Sequence, residues 1–501
     1  MLVTGRCVVL LCSAFAAWAV ALVVLWTYHG SLLDWDEVDY VNAANLGVVG
    51  NAFEAGSLSV IQFAEFGFSK IRGGNPVLPG NYDEGRDPLL LRHFHPPFVV
   101  FLLSVVSGSR SERVLRLVQV LGALMLAVTA VFSYRSISES AGWYGLLLVS
   151  LLVVWMSVVA FRSISFHGWE AVWTTAAAAL LGKLGQVVLG KKTTVGILLC
   201  GVLALTVVTL ETGLVVWAGA FVWLGIVRLR RSRPGEAVCG GHELLVGLAL
   251  TVVLVGLVWP GSVTKMSLLK NVANHAYAVR LGREYESVSY GTLGESLLPI
   301  VALAPAALLS LALVGRSEFQ RWGSFVVIGV LYGGAMVRFA LQPQYLIPAV
   351  APLVCVVGIA GDRVSGVGRR GLLIAVVCLL IAAAWPKGVG SLDERARDDL
   401  RWLGGVARGQ EVLVDGGHVY RFYLGADFGI RPVLVDYNGG ALIVRETGRY
   451  RELSAEEISG RVVVIQGHQR SLSFNAAQRL VFEKCRAIER ATIRVFDCRQ
   501  V

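Results

Sequence analysis

Asp34, Asp36, Glu37 and Asp39 place four carboxylates within six residues of the stretch "LLDWDEVDYVNAANLG" (32–47), directly after a long apolar run. A carboxylate held at such a boundary can take a proton from an incoming hydroxyl, the work of a general base. Burial and neighbouring cations set how readily it does so. Trp35 and Tyr40 bracket the acids with rings suited to a membrane–water interface. The apolar spacing of "VDYVNAANLGVVG" predicts a helix over 36–50 lying on that surface. Asp36 and Glu37 stand near its start, where the helix dipole favours anions. A second chemical signal is "LRHFHPPFVVFLL" (91–103). The residue before a proline avoids the α region and proline suits a first helical turn, so His95 is pinned at the mouth of an apolar helix.

The elements that must position these groups are membrane helices. The chain has 501 residues, 55% of them hydrophobic and only 16% charged, against about 25% charged in a soluble domain. Mean hydropathy is +0.64. Nearly uncharged runs occur at 7–28, 114–134, 142–160, 169–188, 193–210, 211–228, 243–260, 294–314, 322–341, 343–360 and 371–386. Most approach the roughly 20 residues that cross a hydrocarbon core. The first run is longer than a signal-peptide core and reads as an uncleaved helix. The apolar piece at 94–107 is short for a span and reads as interfacial or re-entrant.

The net charge of +10 does not point to nucleic acid. The bases cluster in short loops, "RLRRSR" at 228–233, Arg316 with Arg321, and Arg363 with Arg369 and Arg370. That is the pattern of cytoplasmic loops. It puts outside residues 29–93, the turn "FRSISFHGW" at 161–169, residues 261–293 and everything after 387. Six of the eight cysteines lie in or near apolar segments, while Cys485 and Cys498 belong to the outer tail, where a disulfide can persist. Spacing alone does not pair them.

Two loops and a tail remain. Residues 29–93 carry nine acids against four bases, whereas 261–293 are basic, with Lys265, Lys270, Arg280 and Arg283 against Glu284 and Glu286. The chain thus divides into a membrane part, 1–387, and a polar tail, 388–501. In the tail, "EVLVDG", "RPVLVDY" and "RVVVIQG" are strand-like, and "RDDLRWLGGV" and "SFNAAQRLVFEK" are helix-like. Their alternation predicts a small mixed α/β unit. "VDGGHVY" lacks the spaced glycines and lysine of a phosphate loop.

An acidic "DE..Y" after the first helix (Asp36, Glu37, Tyr40), followed by "HPP" opening a later one (His95, Pro96, Pro97), resembles the GT-C superfamily of integral-membrane glycosyltransferases. The similarity is to its branch of protein O-mannosyltransferases and lipid A aminoarabinose transferases, families 39 and 83. "ERVLRLVQVLGAL", through Arg116, is similar to the arginine-led helix of that family. "RFALQPQYLIPAVAPL" (338–353), through Arg338, Tyr345 and Pro348, looks like its late segment. The resemblance covers about residues 1–390. Where the family usually has Asp or Tyr after an Arg, this chain offers Arg162, His167 and Glu170; where it often has Lys near the sixth span, Glu211 stands.

The resemblance implies a polytopic α-helical fold of 11–12 transmembrane or re-entrant helices with a small C-terminal α/β domain. It implies transfer of a sugar from a polyprenyl phosphate to a lipid, glycan or protein acceptor on the outer face of the inner membrane, with inversion. Asp36 would be the base and Glu37 would support it or orient the acceptor. Tyr40, His95, Arg116, Arg162, His167 and Tyr345 would bind substrate. The leaving phosphate calls for cations, which Lys265, Lys270, Arg280, Arg283 and Arg338 supply. Paired acids can hold a divalent ion, but no metal-ligand spacing stands out, and metal independence is the expectation. A transporter is the alternative, expected to carry ionisable residues at mid-membrane depth and interrupted helices. A non-catalytic membrane subunit is another.

Overall fold

The computed structural model describes residues 2–28, 35–44, 47–54, 68, 72, 96–106, 116–138, 142–161, 164, 166–184, 189–230, 241–264, 268–269, 316–336, 343–383, 390–415, 420, 423–424, 428–436, 441–446, 449–466 and 474–501. Apolar helices dominate up to residue 383. They are α1 (Leu2–Tyr28), α5 (Leu117–Ile137), α6 (Trp143–Phe161), α7 (Phe166–Leu184), α8 (Leu189–Thr209), α9 (Gly213–Arg230), α10 (Gly241–Val258), α12 (Arg316–Met336), α13 (Ile347–Arg363) and α14 (Val367–Ala383). Each matches one expected span to within a few residues; the expected span 294–314 lies outside the described residues. Val8–Leu25, Leu117–Ile137, Trp143–Phe161 and Gln344–Arg363 are each long and apolar enough to cross a membrane, and shorter apolar helices accompany them. The chain is a multi-pass α-helical membrane protein.

Between the spans lie short helices, α2 (Trp35–Ala44), α3 (Gly47–Glu54), α4 (Phe98–Val106) and α11 (Gly261–Thr264). The single surface helix expected over 36–50 is two helices. Gly47, the first residue of α3, takes φ +71°, a left-handed conformation that suits glycine. Asn51 holds the break, its amide donating to the carbonyls of Ala43 and Gly47 at 2.8 Å each. α4 has nine residues, about 13.5 Å of helix, too short to cross a core of about 30 Å. Ser104 of α4 donates to the carbonyl of Ala44 at 3.1 Å, so α4 is tied to the end of α2.

α13 is the buried centre of the bundle, packed on α5, α6, α7 and α12. Small residues permit that closeness. A Cβ added at Gly358 would lie 2.6 Å from Val149 and 2.9 Å from the Tyr134 ring. At the end of the bundle where α5 runs into α6, Asp362 of α13 accepts from the backbone N–H of Gly142 at 2.9 Å and of Gly145 at 2.7 Å. Tyr134 donates its hydroxyl to the same carboxylate. An anion from one helix thus caps the N-terminus of another.

The tail includes α15 (Gly390–Ala407) and, among the described residues, seven strands. These are β1 (Val412–Asp415), β2 (Ile430–Asp436), β3 (Ala441–Glu446), β4 (Arg449–Glu452), β5 (Val462–Gln466), β6 (Arg486–Glu489) and β7 (Ile493–Asp497). They form one sheet in the order β4-β3-β2-β1-β5-β7-β6. β1 runs parallel to β2 and β5, and the outer pairs are antiparallel. Helices α16 (Ala455–Ile458) and α17 (Ala476–Phe482) cover one face and α15 the other. The mixed sheet is the one expected, with four more strands than the sequence announces. Cys485 and Cys498 form a disulfide that continues the β6–β7 register, in which Arg486 pairs with Asp497.

Candidate active site

The acids of the first loop lie on α2, and α2 is docked. Val38, Val41, Ala43 and Ala44 are buried, and so is Glu37, at 3% exposure. The Glu37 carboxylate accepts from the backbone N–H of Ile164 at 2.6 Å, in the turn between α6 and α7. Arg116, the residue that precedes α5, brings a guanidinium nitrogen to 3.8 Å from the same oxygen and donates to Gln119 at 3.2 Å. One turn further along α2, the Tyr40 ring meets Phe166 edge-on, with centroids 4.6 Å apart. Glu37 and Tyr40 stand three residues apart and therefore share a helix face. That face grips the α6–α7 turn, so Glu37 is a positioning group for the acid helix. Asp36 belongs to the first turn of the same helix.

The α6–α7 turn carries the site onward. His167 in the first turn of α7 packs its ring against Tyr345 at 4.3 Å. Tyr345 sits in the 3-10 turn Pro343–Leu346 that leads into α13, whose start Pro348 favours. One turn below His167, Glu170 is fully buried, and among the described residues neither of its carboxylate oxygens has a hydrogen-bond partner. Glu211, between α8 and α9, is also buried and lies within electrostatic reach of Glu170 and of Tyr332 on α12. Tyr332 and Thr212 share a hydrogen bond of 2.7 Å. Six elements therefore meet at one end of the bundle.

The same end gathers the loop helices. Pro96 and Pro97 are buried, and Phe98 behind them lies edge-on to Trp169 at 5.5 Å and Trp173 at 5.6 Å. The "HPP" turn thus meets α7. α11, the start of the basic loop, touches the end of α3: a Cβ at Gly261 would stand 2.9 Å from the carbonyl oxygen of Phe53. So the acidic and basic loops approach each other where described.

Of the sequence-derived site residues, the structure brings together Glu37, Tyr40 and Arg116 around Ile164, and His167 with Tyr345 close by. His95, Arg162, Lys265, Lys270, Arg280, Arg283 and Arg338 lie outside the described residues, and of Asp36 only the backbone is described. Among the described residues no group of three or more His, Cys, Asp or Glu side chains is placed to hold a metal ion. Glu170 and Glu211 register in the sequence as departures from a motif and as the candidate ionisable residues of the transporter alternative. Their common signal is position, an acid at the end of an apolar run, and it does not tell which helix ends meet.

No family model matches the chain, and no curated protein does. Solved structures do, among them two of ArnT. ArnT from Cupriavidus metallidurans in the apo state shares 14% identity and a TM-score of 0.56 over 99% of this chain and 98% of its own. The same protein bound to undecaprenyl phosphate shares 14% identity and a TM-score of 0.58 over 98% of each chain. The likeness spans the bundle and the tail together, so this chain shares its overall fold with ArnT.

Proposed function

We propose that the chain is a membrane glycosyltransferase that moves a sugar from a polyprenyl-phosphate donor to an acceptor hydroxyl on the outer face of the membrane. The observation that carries this reading is the docking of the acid helix. Glu37 ties α2 to the Ile164 turn and to Arg116, a place where an acid, a guanidinium and the ends of several helices converge. The full-length fold likeness to a structure that holds undecaprenyl phosphate supports a lipid-phosphate donor.

In this reading the Asp36 carboxylate takes the proton of the acceptor hydroxyl. The hydroxyl oxygen bonds to the anomeric carbon as the bond to the phosphate oxygen breaks, with inversion at that carbon. The proton ends on Asp36 and the negative charge on the departing polyprenyl phosphate. Lys265, Lys270, Arg280, Arg283 and Arg338 meet that phosphate, arginine through paired hydrogen bonds and lysine as a point charge. Glu37 and Arg116 keep α2 in place, while Tyr40, His95, Arg162, His167 and Tyr345 shape the pocket. A lipid-borne donor arrives through the bilayer, which accounts for acids crowded against a membrane surface.

The basic loops assign the opposite end of the bundle to the cytoplasm. The membrane part then covers 1–387, and the tail from 388 lies outside the inner membrane. The Cys485–Cys498 disulfide belongs in an oxidising compartment and supports that side. Glu170 and Glu211 lie near helix ends and not at mid-span, which disfavours a transporter.

The test is incubation of purified protein with a panel of labelled polyprenyl-phosphate sugars and candidate acceptors. Release of polyprenyl phosphate with label passing to an acceptor supports the reading. Intact donors throughout, together with solute uptake by proteoliposomes free of lipid-linked sugar, overturn it.

A further inference from the structure

Glu170 has no task in the chemistry above, and its surroundings are unusual. Its side chain is fully buried, and among the described residues neither oxygen has a hydrogen-bond partner. The Trp173 indole N–H and the Thr174 hydroxyl are likewise without hydrogen-bond partners among the described residues. Spacings of three and four residues put all three groups on one face of α7. A buried polar group without a partner is unfavourable, and each one in a folded protein calls for an explanation, of which a bound molecule is one. This face continues from His167, which packs on Tyr345, down past the aromatic wall of Phe98, Trp169 and Trp173. A carboxyl group, an indole donor and a hydroxyl beside aromatic rings form a set that matches a polyhydroxylated ring.

We infer that Glu170 is a specificity-determining residue of the donor subsite, its carboxylate accepting hydrogen bonds from hydroxyl groups of the sugar carried on the polyprenyl phosphate. The inference rests on the function proposed above and adds the part of the site that reads the sugar. The donor is favoured over the acceptor as the source of those hydroxyls. Glu170 stands one turn into an apolar membrane helix, below the turn that α2 grips, and a lipid-borne donor is the substrate that comes to the site from within the bilayer.

The experiment measures kcat and KM for donor and acceptor with the full-length protein and its Glu170→Gln and Glu170→Ala variants. Binding of sugar-free polyprenyl phosphate is measured beside them. Losing hydrogen bonds to a buried carboxyl group lowers donor kcat/KM about 10- to 100-fold in Glu170→Ala and less in Glu170→Gln, which keeps one acceptor oxygen. Acceptor KM and the affinity for sugar-free polyprenyl phosphate stay within about two-fold of wild type. The ranking of donors that differ at single hydroxyls changes. Should Glu170→Ala not fold, the isosteric Glu170→Gln decides. The inference is overturned if Glu170→Gln ranks donors as wild type does, or if its sugar-free lipid affinity falls as far as its donor efficiency, the mark of a packing role. If wild type itself uses no donor, the parent reading fails and takes this one with it.

Discussion

Replacing Glu37 removes an acceptor and a charge from a closed corner of the bundle. Its carboxylate receives the Ile164 N–H at 2.6 Å and faces the Arg116 guanidinium at 3.8 Å, with side-chain exposures of 4% for Glu37 and 8% for Arg116. A hydrogen bond to a charged group contributes about 1.5–3 kcal/mol. Breaking a buried ion pair by removing one partner costs about 3–5 kcal/mol. The pair here sits at the low end, because 3.8 Å is too long for a direct hydrogen bond and Arg116 also donates to Gln119 at 3.2 Å. Glu37→Ala should therefore lose about 3–4 kcal/mol of stability, combining the lost hydrogen bond with part of the pair term. Glu37→Gln retains an acceptor for Ile164 and should lose about 1–2 kcal/mol. A double-mutant cycle with Arg116→Met should return a coupling of about 1–2 kcal/mol. Equilibrium unfolding in detergent reads each value. Equal losses in Glu37→Ala and Glu37→Gln, or a coupling under about 0.5 kcal/mol, would refute the idea that this contact holds the acid helix.

Asp362→Ala orphans the N–H groups of Gly142 and Gly145 and should cost about 2–4 kcal/mol in the same unfolding assay; a loss below about 0.5 kcal/mol would mean that water replaces the cap. In the tail, Arg451 grips the Glu457 carboxylate with two hydrogen bonds and Ser454 adds a backbone N–H, so its pKa falls from an ordinary 4.5 to about 2. A depressed carboxyl pKa gives stability that is fully present above about pH 4.5 and lost as pH falls toward 2. Acid titration of tail unfolding should show that loss, and Glu457→Gln should remove it; an unchanged profile in the variant would exclude Glu457 as its source. Peptides bearing Cys485 and Cys498 should take up a membrane-impermeant thiol reagent on intact cells only after reduction. Labelling before reduction would contradict the disulfide, and labelling confined to permeabilised cells would contradict the outer location.

The membrane architecture was legible because a bilayer imposes one simple demand, a run of apolar residues of nearly fixed length. The helix boundaries were less so. The span expected at 169–188 is Phe166–Leu184, because His167, packed on Tyr345, belongs to the first turn of the helix. The surface helix was expected whole, yet it breaks before Gly47, where Asn51 reaches back to the carbonyls of Ala43 and Gly47. In the tail, the strands at the sheet centre announce themselves as runs of valine. The hairpin of β3 and β4 carries Arg445, Glu446, Arg449, Arg451 and Glu452, and such edge sequences look like loop until a neighbour pairs with them. The candidate site divides in the same way. Asp36, Glu37 and Tyr40 were visible as a cluster, but Glu37 finds its partner Ile164 at a separation of 127 residues. Burial of Glu170 beneath that turn is a property of packing that no local pattern encodes.

The most direct test is single-turnover transfer of labelled sugar from polyprenyl phosphate, comparing wild type with Asp36→Asn at matched folding and matched donor binding. Loss of a general base should slow transfer by about 100- to 10,000-fold and leave donor affinity intact. Undiminished transfer by the asparagine variant would show that another group takes the proton.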